Sequence, residues 1–400
     1  MNLKYYLRKS KDVRGRDYLS FFPMLFALIC SPFCAGKYKD VWAVSERPDE
    51  ARDNGYHFFR YMRKHHPEQP CVYVCDSSCA DYIKVKELGE IIQPGSIRHW
   101  LIYFRAYYLI SSQHFAPNGY MVKLIERLRL FHPKHVFLQH GITKDMAEFL
   151  LASHRNAEYF IAGAKPEFDF MRENFGYPEG TMQYTGFARF DALHDFTVNP
   201  SQILVMPTWR KWLRFRSETH SDAGMDIASS EYVSRWKELL CGEDFIRMID
   251  QYHLNVVFYA HPNMKGRLNP FSIVDKRIRV ADPRQEDLQE LLKSSAMLIT
   301  DYSSVFFDIV YMKKPVIFYQ FDEEKFRKYH YKQGWFDYKK TSFGSVCYSS
   351  GEVITELKQI IDGGFVVSDE YLAEHGKVFP KYDKNNCERI YQVLIGSLKS

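Results

Sequence analysis

Residues 297–320, MLITDYSSVFFDIVYMKKPVIFYQ, constrain the fold more than any other stretch of this chain. Two short apolar runs, 297–299 and 316–319, bracket a polar loop, an apolar segment and a lysine-proline turn. The order reads as strand, loop, helix, turn and second strand, the repeating unit of a parallel sheet. In an open parallel sheet the loop after a strand's carboxyl end is where ligands bind. Asp301, Ser303 and Ser304 occupy that loop, and the two serines are expected where the helix begins. Free backbone N–H groups and the positive dipole end favour an anion there, and serine hydroxyls add donors. The competing reading is that these residues only cap the helix.

The same alternation runs along the rest of the chain. Strands are expected at 40–45, 71–75, 106–110, 136–138 and 159–162, with helices at 50–65 and 81–88. A polar, proline-containing stretch at 196–201 reads as a linker. Strands then resume at 203–206, 256–260 and 278–280 before the 297–320 unit. The expected fold class is therefore α/β, with two Rossmann-like domains whose parallel sheets face an inter-domain cleft, the GT-B arrangement. The expected divisions are a basic and apolar N-terminal segment, 1–38, an N-terminal Rossmann-like domain, 39–198, a C-terminal Rossmann-like domain, 199–383, and a C-terminal helix, 384–400, that packs back on the first domain. Residues 214–230, polar and mixed, are expected to form a mobile loop beside the site.

Composition excludes more than it selects. A net charge of +5, from 54 basic and 49 acidic residues, makes no nucleic-acid-binding surface. Cys71, Cys75 and Cys79 lack the tight CxxC pairs of zinc sites, and scattered thiols fit a reducing compartment. No metal and no cofactor are expected. At the N-terminus Lys4, Arg8, Lys9, Lys11, Arg14 and Arg16 oppose only Asp12 and Asp17, and an apolar run interrupted by Pro23 and Pro32 follows at 18–35. The first reading is attachment to an anionic inner leaflet, flat or as a re-entrant hairpin, which places the protein peripherally on the cytoplasmic face of the membrane. A buried core helix comes second and a cleaved signal third.

Six pieces of the chain, in order, resemble one family. They are SERPDEARDNGYHFFRYM at 45–62, QHG at 139–141, GFARFDAL at 186–193, PTWR at 207–210, YAHPNM at 259–264 and the 297–320 segment. Their order and spacing over roughly residues 40–390 are similar to those of the CDP-glycerol:poly(glycerophosphate) glycerophosphotransferases, enzymes that polymerise teichoic acids. The resemblance implies transfer of glycerol phosphate from CDP-glycerol to a hydroxyl of a lipid-linked, polymeric or capsular glycan acceptor, with release of CMP. CDP-ribitol is the nearest alternative donor. A glycosyltransferase or a sugar-nucleotide epimerase on the same fold remains open, as does a non-catalytic binder of anionic polymer.

Such a transfer needs a base for the acceptor hydroxyl, charge complementarity at phosphorus and a stabilised leaving group. His140 follows a strand end and titrates near working pH when unperturbed, so it is the expected base, with Gly141 beside it allowing close approach. The family carries Thr and Pro after this HG pair. Here Ile142 and Thr143 follow, and Thr143 is expected to supply the displaced hydroxyl or to mark a different acceptor end. His261, in the HP pair, is expected to stabilise charge on the leaving side. Arg210, with Thr208 in the same loop, is expected to clamp the pyrophosphate. Trp209 is assigned to packing, and Lys211 and Arg214 to a solvated face or to the polymer's phosphates. Ser303 and Ser304 are expected to donate to phosphate, with Asp301 orienting their loop or His261. Asp308 is read as structural, and Asp53 and Asn54 as acceptor contacts or a helix cap.

Overall fold

The computed structural model describes residues 21–113, 134–214, 227–261, 264, 269, 273–283 and 285–396. Among these residues the strands, in chain order, begin with β1 (Trp42–Ser45), β2 (Cys71–Val74), β3 (Ile91–Ile92), β4 (Tyr108–Ser111) and β5 (Lys134–Phe137). Then come β6 (Asp145–Met146), β7 (Tyr159–Ala162), β8 (Met182–Tyr184), β9 (Asn199–Met206) and β10 (Asn255–Phe258). The last are β11 (Arg279–Val280), β12 (Ser295–Thr300), β13 (Val316–Tyr319), β14 (Lys332–Gln333) and β15 (Gly344–Cys347).

Two parallel sheets result, ordered β3-β2-β1-β4-β5-β7-β8 and β11-β10-β9-β12-β13-β15. In each, the first strand of the half lies centrally and the order reverses between it and the fourth. That reversal opens a crevice at the carboxyl ends of β1 and β4 in one half, and of β9 and β12 in the other. The central strands are buried throughout, as WAVS in β1 and SAMLIT in β12, because helices cover both faces. The expected α/β GT-B class is therefore the observed one. The stretch read as a linker ends inside the second sheet, where Asn199 already pairs with Ser295.

The halves are joined by more than the chain crossing. The two-residue strands β6 and β14 pair antiparallel, Met146 with Lys332 and Asp145 with Gln333. Beside them the Trp335 indole donates to Thr143 O at 2.9 Å, and Arg327 Nη1 meets Asp145 Oδ1 at 2.5 Å. A side chain on Gly334 would stand 2.4 Å from Lys144 O, so only glycine admits this approach. Further round the cleft, Arg189 of the first half forks onto Asp308 of the second at 2.8 and 2.9 Å and onto Asp53 at 3.0 Å. The helix Asn386–Gly396 returns to the first half: Asp191 accepts from the backbone N–H groups of Asn386 and Cys387 at 2.8 and 2.9 Å.

At the N-terminus a helix over Phe21–Cys30 runs through a 3₁₀ turn into Ala35–Tyr38. Met24 and Ala27 are buried against the helix Ile97–Arg105, in a cluster with Trp100, Leu101 and Phe104. Phe22, Phe26, Ile29 and Phe33 face solvent. The stretch Phe21–Tyr38 is long and apolar enough to cross a membrane by length and composition. The basic residues 4–16 and most of the 214–230 loop lie outside the described residues.

Candidate functional site

The loop after β5 is built to turn one residue outward. Gln139 adopts a left-handed backbone, φ 57°, which costs a non-glycine residue about 1–2 kcal/mol. Its side chain offsets that cost by donating to Ile161 O at 2.6 Å and accepting from Thr143 Oγ1 at 2.9 Å. Buried Glu167 accepts from the N–H groups of Thr143 and Gly163 at 2.5 and 2.7 Å, and burial pushes its carboxyl up to about 7. Asn54 donates to Gln139 O at 2.8 Å from the other side. His140, next in line, is turned out to the cleft. A Cβ on Gly141 would lie 3.0 Å from Ser304 Oγ, so the two halves approach closely beside the histidine.

The second half presents its own strand-end loops. Asp301, at the end of β12, accepts from the N–H of Thr208 at 2.8 Å and from its neighbour Tyr302 at 2.6 Å. That bond ties the loops after β9 and β12 together. Ser303 and Ser304 stand ahead of the helix Phe306–Tyr311 rather than at its first turn. A turn intervenes, in which Val305 N–H reaches Ser303 Oγ at 3.4 Å. His261 follows β10 and lies 6.3 Å, centroid to centroid, from Trp209.

His140, Gly141, His261, Ser303 and Ser304 line two adjoining chambers and form the waist between them. The larger, about 240 Å³, is walled by Arg47, Arg52, Arg189, Asp53, Asp308 and Tyr259 among others. The smaller, about 180 Å³, is walled by Thr208, Trp209, Tyr302, His330, Phe149 and Tyr331 among others.

Both histidines are neutral at pH 7. Enclosure by the cleft, then Arg189 and Arg47, pulls His140 down to about 4, against an opposing contribution from a Ser112 backbone hydrogen bond. Enclosure, then Arg47 and His140 itself, pulls His261 down to about 4 as well. Neutral imidazoles can accept a proton at one nitrogen or donate from the other.

Several expected site residues lie behind the cleft instead. Arg210 is fully buried and four of its five N–H donors are committed: Nη1 to Asp301 at 2.8 Å and Thr208 O at 2.7 Å, Nε and Nη2 to Asp322 at 2.7 and 3.0 Å. It clamps the protein's own loops and, sealed between two carboxylates with no exposed surface, does not reach a pyrophosphate in the cleft. Asp301 and Asn54 are likewise buried, Asp301 spent on Arg210 and backbone N–H groups and Asn54 on backbone groups, so they shape the loops rather than touch a ligand. Thr143 borders the smaller chamber, but its hydroxyl is committed to Gln139. Asp53 lines the larger chamber while paired with Arg189, and burial, with repulsion from Asp308, raises its carboxyl against that partner. Asp308, read from the sequence as structural, holds Arg189 and also lines the larger chamber. Thr208, Ser303, Ser304, Gly141, His140 and His261 are brought together.

The residue missed in the sequence is Arg47. It acts on both histidines, and its recorded ion pair is a loose one, 3.5 Å to Glu50, with its side chain 45% exposed. Arg52 and Arg189 are held by Asp81 and by Asp53 with Asp308. The signal was present: Arg47 follows the first strand of its half, at the strand-order reversal. No group of three or more His, Cys, Asp or Glu placed to hold a metal occurs among the described residues.

The model of the family described as CDP-Glycerol:Poly(glycerophosphate) glycerophosphotransferase matches residues 27–396. The minor teichoic acid biosynthesis protein GgaB of Bacillus subtilis (strain 168) is 30% identical over 364 residues, covering 89% of this chain and 40% of its own length. The teichoic acid poly(glycerol phosphate) polymerase of the same strain is 24% identical over 329 residues, covering 76% and 41%. The chain thus spans about two fifths of the curated relatives it matches over most of its length. Among solved structures, a histidine variant of the wall teichoic acid polymerase TagF superposes with a TM-score of 0.63 over 97% of this chain and 99% of that one, at 15% identity. UDP-GlcNAc 2-epimerase from Methanocaldococcus jannaschii gives 0.50 over 89% and 99%, at 14% identity. At such identities these likenesses speak to the fold, whereas the family match covers nearly the whole sequence. The chain belongs to the CDP-Glycerol:Poly(glycerophosphate) glycerophosphotransferase family of teichoic acid phosphotransferases.

Proposed function

We propose that the protein transfers glycerol phosphate from CDP-glycerol to a hydroxyl of a membrane-linked or capsular polyol-phosphate or glycan acceptor. The observation that carries this reading is the waist: two neutral histidines and two serines, one histidine from each half, with Arg47 acting on both imidazoles. Structures of TagF soaked with CDPG support the donor class.

The acceptor hydroxyl gives its proton to neutral His140 as its oxygen bonds to the phosphorus bearing glycerol. The bond from that phosphorus to the bridging oxygen breaks, and CMP leaves with the electron pair. His261 donates an N–H to the leaving side, while Ser303, Ser304 and Arg47 meet charge on the phosphoryl oxygens. Arg47 replaces Arg210 in this role because its guanidinium is not sealed in by carboxylates. Imidazolium formation at His140 is opposed by the nearby arginines, so the transferring anion itself has to supply the compensating charge.

The reading extends to location. The exposed face of the helix Phe21–Cys30, continued by Phe33, suits insertion to headgroup depth at the cytoplasmic face of the membrane, with Met24 and Ala27 fixing its inner face to the domain. Sedimentation with anionic vesicles, lost on Phe22→Ser with Phe26→Ser, tests that placement. The function is tested by CMP release from CDP-glycerol, CDP-ribitol and UDP-sugars, each with and without a membrane extract. Acceptor-dependent CMP release from one CDP-alditol supports the reading and names the donor. Turnover of a UDP-sugar alone rejects it.

A further inference from the structure

The larger chamber is lined by carboxylates as well as by arginines, and among the described residues all but one of these acids have a close partner. Asp53 and Asp308 grip Arg189, while Glu286 and Asp287 accept from backbone N–H groups at 3.1 and 2.8 Å. Glu50 is the exception. Its recorded contact is with Arg47, Nε to Oε1 at 3.5 Å, against about 2.7–2.9 Å for a formed charge-assisted bond. Both side chains line the chamber, and they are 36% and 45% exposed.

The backbone beneath this pair is fixed. Glu46, just after β1, turns its carboxylate inward and accepts from the N–H groups of Arg52, Asp53 and Tyr56 at 3.0, 3.0 and 2.6 Å. It thereby caps the helix Asn54–His65, whose own N-cap residue, Asp53, makes no side-chain capping bond. Within the loop so closed, Glu50 N–H donates to Arg47 O at 3.3 Å, which keeps the acid and the guanidinium on one turn. Burial raises the Glu50 carboxyl, Arg47 opposing the shift and Asp53 and Asp49 adding to it, so the carboxylate is poorly held where it stands. The pair is tethered through the backbone and weakly joined through its side chains.

We propose that Glu50 is a tethered stand-in for the donor's phosphate: it holds the Arg47 guanidinium before the donor binds, yields it to the pyrophosphate, and reclaims it as CMP departs. This rests on Arg47 meeting the donor at the waist. Exchange of one anion for another leaves Arg47 paired at every stage, and the partly exposed Glu50 has solvent to swing into. A carboxylate on the same loop competes at a high effective concentration. A single phosphate resists that competition less well than a pyrophosphate, so the exchange favours release of CMP over loss of the donor.

The test is calorimetric titration of wild type, Glu50→Gln, Arg47→Ala and the double variant with CDP-glycerol, CMP and inorganic pyrophosphate. Glu50→Gln, isosteric at a partly exposed position, is expected to tighten CDP-glycerol and CMP about threefold to tenfold, the weight of one such charge acting on an anion. In the Arg47→Ala background the same substitution is expected to change either affinity by less than about twofold, because the effect passes through Arg47. A gain that persists undiminished without Arg47 overturns the assignment, since Glu50 would then act by repulsion alone. Weaker CDP-glycerol binding in Glu50→Gln overturns it too, by placing the carboxylate on the donor's hydroxyls. Unchanged affinities, or a wild type that binds none of the three ligands, do the same. Tightened pyrophosphate binding that depends on Arg47, in a protein turning over no CDP-alditol, leaves the exchange standing and rejects the donor reading.

Discussion

Arg47 and Arg210 occupy matching places in the two halves, each in the loop after the first strand of its sheet, yet they have opposite surroundings. Arg210 is enclosed by Asp301 and Asp322 and fully buried, while Arg47 reaches into the cleft with a loose, exposed partner. Residue type and strand-end position are the same. What separates an arginine that holds the fold from one free to hold a ligand is whether buried carboxylates already claim its donors.

The largest effect expected from this contrast is on stability. Arg210→Ala leaves Asp301 and Asp322 buried without their counter-ion and should destabilise the protein by about 3–5 kcal/mol, read as the midpoint of a urea titration. Arg189→Ala, which strands Asp53 and Asp308 between the halves, should fall in the same class. A normal midpoint for Arg210→Ala together with lost donor affinity would return that residue to the phosphate.

Arg47→Ala should do the reverse. Its stability should stay within about 0.5 kcal/mol of wild type, while kcat/KM for the donor falls about tenfold to a hundredfold, the weight of a charge-assisted hydrogen bond. Equal donor kinetics in the variant and the wild type would remove Arg47 from the site.

A smaller, graded effect comes from pH. Desolvation lowers the folded-state values of His57, His99 and His330 to about 3, and enclosure by the cleft lowers that of His140 to about 4. An unfolded histidine titrates near ~6.5, so the unfolded chain takes up these protons first as pH falls. Stability supplied by keeping the rings neutral is complete above pH ~6.5 and is lost progressively as pH falls toward ~3. For the same reason the acid limb of the kcat/KM profile should lie near pH 4 instead of near 6.5. An inflection near 6.5 would mean that His140 is more solvated in the free enzyme than the cleft geometry implies.

How much of this was legible in the sequence follows from what each feature depends on. Strands such as Tyr159–Ala162 and Val316–Tyr319 announce themselves as apolar runs because both faces of a parallel sheet are covered. The histidines after β5 and β10 and the serines after β12 were readable because strand ends gather ligand contacts. The burial of Arg210 was not readable, since Asp322 belongs to no motif and meets it only in three dimensions. The ribbon of β6 with β14 carries no apolar pattern, Asp-Met against Lys-Gln, and exists only because the halves close on each other. Ser303 and Ser304 satisfy the rules for a helix start, but a local hydrogen bond from Val305 to Ser303 makes a turn first.

The central claim, that the waist between the chambers performs phosphoryl transfer with His140 as base, is tested most directly by CMP release from CDP-glycerol with His140→Ala beside the wild type. The account predicts acceptor-dependent release by the wild type, a rate lower by about 10²- to 10⁴-fold in the variant, and unchanged melting and donor affinity. Turnover at the wild-type rate in His140→Ala would contradict it.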